Sequence, residues 1–216
     1  MQSIQRSWRS LASGFVMNNI GVLGGTFDPF HLGHLSIAEA ALKELGFDRI
    51  LLMPAKVSPF KIGRKMAAEA DRINMVRCVA AHYDKLDVTT IETDARRVSY
   101  TYKTMKALGK QYPGARLWII MGADSLLSLE DWYKGKDLLR EYDFVLAPRP
   151  GYDLLEVDEK IRYFMDTYRT EIRVLHNRLV DVSSTEIKKL IHEGKDIRHL
   201  VPEEVGDYIY EHGIYH

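Results

Sequence analysis

The stretch Gly24-Gly25-Thr26-Phe27-Asp28-Pro29-Phe30-His31-Leu32-Gly33-His34 decides the fold of this chain. An apolar run at residues 20–23 precedes it and is typical of a short buried strand. Residues 37–45 follow with apolar side chains at helical spacing. The stretch is therefore predicted to be the turn that joins the first strand of a βα unit to its helix.

The same turn has the chemistry of an anion site. Gly24 and Gly25 carry no Cβ, so the backbone can approach a ligand closely. The helix that follows directs N–H groups and the positive end of its dipole at the same place, where His31 and His34 also stand. We interpret this arrangement as a polyphosphate site; the alternative is a glycine-rich turn with two surface histidines.

Length and composition limit the classes of protein. The 216 residues suit one α/β domain, which we assign to residues 20–216, and residues 1–19 are expected to be a flexible extension or to lie upstream of the true start, with Met17 as a candidate initiator. Thirty basic residues balance thirty acidic ones, which argues against a nucleic-acid-coating protein. No apolar run is long enough to span a bilayer, and Cys78 is the single cysteine, so we expect a cytoplasmic protein without a disulfide.

Strands and helices alternate along the rest of the chain. The apolar patterns predict strands at residues 49–54, 86–92, 117–121, 144–147 and 172–175, and helices at residues 68–82, 100–110, 154–168, 184–192 and 202–211. This order predicts an α/β fold, a Rossmann-like doubly wound parallel sheet with helices on both faces and a small C-terminal helical part. Ligands of such sheets bind outside the carboxyl ends of the strands, where the remaining motifs lie.

Two of these motifs follow the fourth strand. Asp124 is placed to accept hydrogen bonds from ribose hydroxyls, and its alternative is a helix N-cap. Trp132 offers a flat face on which a pyridine ring can stack, and its alternative is a core tryptophan. Both functions require these residues to reach the same sheet edge as the histidines.

A second phosphate cradle is predicted after the last strand. Ser183, Ser184 and Thr185 are good N-cap residues at a helix start, so hydroxyls and N–H groups meet there. Lys188 lies one turn further along, within reach of the same phosphates. The alternative is a capped helix without a ligand.

The quoted stretch resembles the signature of the nucleotidyltransferase superfamily that carries a His-x-Gly-His or Thr-x-Gly-His motif. Its longer form is similar to the bacterial nicotinate-nucleotide adenylyltransferases, as are the Gly-Ala-Asp, Trp-Tyr, Arg-Pro-Gly and Ser-Ser-Thr segments. The resemblance covers nearly the whole chain from Ile20 onward. It implies adenylyl transfer from ATP to nicotinate mononucleotide, with Mg²⁺ held by phosphates and water rather than by the protein.

The resemblance also implies the site residues. The expected catalytic residues are His31, His34 and Lys188. ATP is expected to meet Gly24, Gly25, Thr26, Phe27, Gly33, Gly122, Asp124, Ser183, Ser184 and Thr185. The mononucleotide is expected to meet Lys61, Tyr100, Thr101, Trp132, Tyr133 and Arg149.

Three departures from the family pattern accompany the match. Lys188 replaces an arginine, which keeps the charge but loses bidentate geometry. Only Pro59 and Lys61 match the Pro-Pro-His-Lys that is usual after the second strand. Lys103 stands where the family often has aspartate, and we expect it to affect no assigned residue.

Other functions stay open at this stage. The nearest are sister transferases that act on nicotinamide mononucleotide, phosphopantetheine or a phospho-alcohol, and a further one is a nucleotide-binding regulator without turnover. Neither nucleic acid nor membrane is an expected partner. A homo-oligomer is compatible with the sequence, which does not fix the oligomeric state.

Overall fold

We describe the protein from a computed structural model, in which residues 19–56, 66–93, 99–148, 154–176 and 180–215 are described. The strands are β1 (Asn19–Gly25), β2 (Arg49–Pro54), β3 (Leu86–Val88), β4 (Arg116–Gly122), β5 (Asp143–Ala147) and β6 (Ile172–Val174). The helices are α1 (Leu32–Leu45), α2 (Glu69–Ala80), α3 (Thr101–Gln111), α4 (Ala123–Leu127), α5 (Gly135–Glu141), α6 (Leu154–Tyr168), α7 (Ser184–His192) and α8 (Glu203–Glu211), and a 3-10 helix covers Leu129–Asp131.

The strands form one six-stranded sheet in the order β3-β2-β1-β4-β5-β6. All five pairings are parallel, and β1 pairs with β2 on one side and with β4 on the other. The chain therefore reverses its direction of winding between β1 and β4. In doubly wound sheets this switch point opens a crevice at the carboxyl ends of the strands.

Helices cover both faces of the sheet. Neighbouring strand residues enter opposite hydrophobic clusters, as Leu51 and Leu52 do in β2 and Ile119 and Ile120 do in β4. One cluster includes residues of α1, α2, α7 and α8, and the other includes residues of α3, α4, α5 and α6. The predicted doubly wound α/β fold is confirmed, and its continuous apolar strands reflect burial from both sides.

Most predicted elements agree with the structure within two residues, and two regions differ. The strand predicted at 86–92 ends at Val88, and the chain then turns through Thr90 to Thr93. Helices α4 and α5 were not predicted, because segments of five and seven residues are too short to show a helical period. The N-cap of α3 is Tyr100, and the hydroxyl of the preceding Ser99 donates to the Glu92 carbonyl at 3.3 Å.

The C-terminal helical part packs back onto the sheet domain. The Tyr208 hydroxyl in α8 donates to Asp71 at 3.0 Å and accepts from the Asn74 side chain at 3.1 Å, both in α2. Beyond α8, Ile214 is buried in the cluster that contains α1. The residues beyond α8 therefore belong to the same core cluster as α1. Within the described ranges, no helix is both long and apolar enough to cross a membrane.

Candidate active site

The turn between β1 and α1 is compact and largely buried. Phe27 adopts a left-handed backbone conformation with φ of 49°, and its buried ring packs against Phe30 with centroids 5.3 Å apart. A Cβ on Gly25 would stand 2.7 Å from the Phe27 ring. Glycine is therefore required there because the aromatic ring of the turn folds back onto the strand end.

His31 and His34 are stacked at the start of α1. Their rings lie 3.7 Å apart between centroids with planes 23° apart; His31 is the N-cap and is buried, and His34 is half-buried. The backbone N–H of His31 donates to Nδ1 of His34 at 3.3 Å. Because Nδ1 accepts this bond, the neutral His34 ring carries its proton on Nε2, which makes Nε2 a hydrogen-bond donor.

Gly33 is packed between the His31 ring and the backbone at Val180. A Cβ at this position would stand 3.0 Å from Nδ1 of His31 and 3.0 Å from the backbone carbonyl oxygen of Val180. Its small size thus lets the loop before α7 and the His31 ring approach α1 closely. Gly24 differs, since its added Cβ would meet only the end of the Met53 side chain, at 3.3 Å.

Asp28 collects three donors from separate parts of the chain. Its carboxylate accepts from the Lys188 ammonium at 2.7 Å, from the Tyr215 hydroxyl at 2.7 Å and from the Ala67 backbone N–H at 3.0 Å. Burial, followed by the hydrogen bond to Asp28, raises the pKa of Tyr215 far above its usual value. Neither Asp28 nor Tyr215 is among the predicted site residues. The signal for Asp28 is an acidic residue inside an anion-binding turn, and no local signal marks Tyr215.

Arg72 supports the same turn from α2. Its guanidinium donates to the carbonyl oxygens of Thr26 at 2.6 Å and Ala55 at 3.1 Å, which lie just beyond β1 and β2. The side chain is almost fully buried, and burial lowers its pKa while the charge of Asp28 opposes that shift. Arg72 thus fixes the two strand ends beside the site, another role that sequence patterns did not reveal.

The predicted second cradle lies across from the histidines. Ser183 caps α7, its hydroxyl accepting from the Glu186 N–H at 3.1 Å, and the Ser184 hydroxyl donates to the Pro29 carbonyl at 3.1 Å. The two hydroxyls therefore build the cradle and tie it to the first turn. Thr185 is exposed on the first turn of α7.

Three adjoining cavities connect these groups. A cavity of about 280 Å³ is lined by both cradles, including His31, His34, Ser183, Ser184 and Lys188. It shares Thr26 and His34 with a crevice of about 620 Å³ at the switch point, lined also by Gly24, Gly25, Gly122 and Asp124. The crevice shares Thr101 and Trp132 with a third cavity of about 210 Å³, lined also by Tyr100 and Tyr133. Neither Gly33 nor Thr185 lines any of the three.

A buried carboxyl group lies in the wall of the central crevice. Glu92 accepts a hydrogen bond from the Thr104 hydroxyl at 2.9 Å. Burial raises the pKa of Glu92, and the bond from Thr104 partly offsets that shift. Glu92 also accepts the Ser99 bond through its carbonyl, so it holds Ser99 directly before Tyr100 and Thr101.

Aromatic rings form the third cavity. Tyr100 and Tyr133 are 39% and 44% exposed, with ring centroids 4.4 Å apart. Trp132 is half-buried, and its indole N–H donates to the Ser128 hydroxyl at 3.3 Å. The Lys103 ammonium lies 5.2 Å from the Tyr100 ring centroid and 5.3 Å from that of Tyr133. The expectation that Lys103 affects no assigned residue is therefore wrong, because the first turn of α3 brings its side chain back over both rings.

Of the predicted site residues, Lys61 and Arg149 lie outside the described residues. The other assigned residues come together at the carboxyl edge of the sheet, with Gly33 and Thr185 beside the cavities rather than in their walls. The arrangement offers imidazoles and an ammonium at one end and flat rings at the other. It suits a ligand with phosphates at one end and a planar base at the other.

This chain matches known proteins over most of its length. Residues 22–190 match the family model described as cytidylyltransferase-like. The chain is 35% identical over 196 residues to a protein of Desulfitobacterium hafniense (strain Y51) named "probable nicotinate-nucleotide adenylyltransferase", covering 91% of this chain and 95% of that protein. It is 37% identical over 200 residues to a protein of the same name from Rubrobacter xylanophilus, covering 91% of each.

A solved structure shares the fold. Nicotinic acid mononucleotide adenylyltransferase of Plasmodium falciparum, complexed with NaAD, superposes with a TM-score of 0.74 at 18% identity. The match covers 92% of this chain and 97% of that chain, and the same protein complexed with APC gives the same values. At this identity the likeness establishes the architecture alone.

Proposed function

The chain belongs to the nicotinate-nucleotide adenylyltransferase family of cytidylyltransferase-like proteins and is an enzyme of adenylyl transfer in NAD biosynthesis, and from that premise we propose its substrates and the residues that act on them. The substrates are ATP and nicotinate mononucleotide. The phosphate of the mononucleotide attacks the α-phosphorus of ATP, pyrophosphate leaves, and nicotinate adenine dinucleotide forms.

One observation carries the assignment of residues. His31 and His34 from the start of the chain line the same 280 Å³ cavity as Ser183, Ser184 and Lys188 from near its end. That cavity opens into the switch-point crevice through Thr26 and His34, so a triphosphate and its nucleoside can occupy the two spaces continuously. A nucleotide bound in this way presents its α-phosphate near His34.

The reaction requires alignment and charge compensation rather than a nucleophilic side chain. The attacking phosphate is already anionic, so no strong base is needed. We assign His34 Nε2–H as the donor to the α-phosphate and His31 as a second donor to the triphosphate. Lys188 holds the pyrophosphate that leaves. Donors fixed before the reaction stabilise developing charge without further reorganisation.

Mg²⁺ is the expected companion of ATP. Among the described residues, no group of three or more His, Cys, Asp or Glu side chains is placed to hold a metal ion, and Asp28 already accepts from three donors. These residues fit an ion carried by the phosphates and water, which is how Mg²⁺ commonly binds with nucleotides. When bound, the ion compensates phosphate charge; the chain's own contribution is to orient the phosphates.

The aromatic cavity is assigned to the mononucleotide. The Trp132 ring lines both this cavity and the central crevice, so a pyridine ring stacked on it can reach the reaction centre. Tyr100, Thr101 and Tyr133 surround the ring, and Asp124 in the crevice accepts hydrogen bonds from a ribose. The roles of Lys61 and Arg149 beside the mononucleotide rest on the resemblance.

A pyrophosphate-release assay tests the proposal. ATP and Mg²⁺ are supplied with nicotinate mononucleotide, nicotinamide mononucleotide or phosphopantetheine in parallel, and CTP replaces ATP in a matched set. We expect the highest kcat/KM for ATP with nicotinate mononucleotide. Faster turnover with CTP, or with another acceptor, would replace the proposed substrates, and ATP binding without any release would identify a regulator.

A further inference from the structure

We propose that Asp28 and Tyr215 form a clasp that positions the Lys188 ammonium for the triphosphate. This inference rests on the proposed function, because it assigns Lys188 to ATP. Asp28 belongs to the β1–α1 turn, Lys188 to α7, and Tyr215 lies beyond α8, at the end of the described chain. Asp28 and Tyr215 act through Lys188 and are therefore positioning residues.

The contacts of the clasp divide between the two carboxylate oxygens of Asp28. Oδ1 accepts from the Tyr215 hydroxyl and the Ala67 N–H, and Oδ2 accepts from Lys188. With Oδ1 held by two donors, the plane of the carboxylate is fixed and Oδ2 faces α7. Tyr215 is 187 residues from Asp28, so only the folded chain brings these groups together.

The charges explain why a carboxylate is tolerated in a phosphate site. Asp28 is 4% exposed and lines the cavity, so an uncompensated charge there would repel the triphosphate. Its three donors compensate that charge. An ammonium has three N–H donors, and one of them on Oδ2 leaves two that can meet phosphate oxygens. The ammonium also lies 5.8 Å from the centre of the Tyr215 ring, which restricts its motion on a second side.

A merely structural role for Tyr215 makes a different prediction. Ile214 is buried in the core, so the end of the chain is already anchored next to the hydroxyl. Tyr215→Phe keeps the ring and removes only the bond to Asp28. If the hydroxyl does no more than stabilise the fold, its loss lowers the melting temperature and affects ATP equally whether or not Lys188 is present.

A double-mutant cycle separates the two roles. The affinity for a non-hydrolysable ATP analogue is measured by calorimetry for wild type, Tyr215→Phe, Lys188→Met and the double variant, with melting temperatures recorded for all four. We expect Tyr215→Phe to weaken binding about tenfold when Lys188 is present, the scale of one hydrogen bond to a charged group, and less than about twofold in the Lys188→Met background. The melting temperatures show that each variant is folded at the temperature of the binding measurement.

Two further variants complete the test. Tyr210→Phe removes a hydroxyl that donates to Asp196 at 3.2 Å and should leave the affinity unchanged. Asp28→Asn keeps the shape but loses the charge that holds Lys188, and should reproduce the Lys188-dependent loss. Equal losses of affinity in both backgrounds, or no loss at all, would overturn the clasp. The calorimetry contains no mononucleotide and so does not depend on which acceptor the enzyme uses. If the substrate panel fails, the proposed function is overturned, but the binding result still tests the clasp.

Discussion

The two ends of the site are built differently. At the phosphate end, buried charged and polar groups meet across long sequence separations, such as the 160 residues between Asp28 and Lys188. At the end that we propose for the pyridine ring, called here the pyridine end, the rings of Tyr100 and Tyr133 meet, and each is more than a third exposed. Charge stabilisation depends on donors held in place, whereas stacking tolerates small displacements. Substitutions should therefore be more damaging at the phosphate end.

The largest effect is expected for His34→Ala. The variant removes the proposed donor to the α-phosphate, and losing one such donor costs about 3 kcal/mol, so kcat should fall roughly a hundredfold or more. Steady-state kinetics together with circular dichroism checks the result at an unchanged fold. Activity within a few-fold of wild type would remove His34 from the mechanism.

Gly33→Ala tests whether the phosphate end requires its close packing. The new methyl group would displace the His31 ring or the Val180 carbonyl, so we expect kcat/KM to fall about tenfold and stability to fall by about 1–3 kcal/mol. Chemical denaturation and kinetics measure the two effects. Gly109→Ala in α3 is the matched control, since nothing lies within 4 Å of its added Cβ and a helical alanine is neutral or stabilising.

Trp132→Ala tests the pyridine end. Loss of the stacking face, worth about 1 kcal/mol beyond area burial, should raise the KM for the mononucleotide roughly five- to tenfold. The KM for ATP should change less, because Trp132 lines the crevice and the aromatic cavity but not the cavity assigned to the phosphates. Trp132→Phe keeps a flat ring and should recover most of the affinity; equal effects on both KM values would remove the distinction between the two ends.

A smaller effect is expected for Lys103→Gln. Its ammonium lies beside the two tyrosine rings, so we expect it to favour the carboxylate of nicotinate mononucleotide over the uncharged amide. At partly solvated distances such a charge is worth about 1 kcal/mol, so the acid-to-amide ratio of kcat/KM should fall about fivefold. Lys106→Gln on the next turn, where the ammonium pairs with Glu141, provides the control.

The smallest effect is expected on the stability of the protein, through Glu92 in the crevice between the two ends. Because burial raises the pKa of Glu92, the folded state binds a proton more readily than the unfolded state, and stability falls as pH rises through that range. Glu92→Gln keeps an acceptor for Thr104 without the charge. Its melting temperature should exceed that of wild type by about 2 °C at pH 8. The difference should close below about pH 4.3, the usual glutamate value, and a pH-independent difference would contradict this account.

The elements that the sequence predicted well are those with strong local signals. The apolar runs of β1, β2, β4 and β5 could be recognised because strands buried on both faces are continuously hydrophobic. The short helices α4 and α5 could not, although α4 places Asp124 at the crevice. The glycine-rich turn, the histidines and the α7 cradle were identifiable because each motif lies within a few residues.

The sequence by itself determined the parallel α/β fold, the family and the two phosphate motifs, because strand periodicity, helix caps and motif spacing are local properties of the chain. Only the tertiary structure decided that Asp28 accepts from both Lys188 and Tyr215, that Arg72 secures the ends of β1 and β2, and that Lys103 lies over the aromatic cavity. The physical reason is that these contacts satisfy buried charges and polar groups with partners from distant segments, and no local pattern encodes which segments the fold brings together.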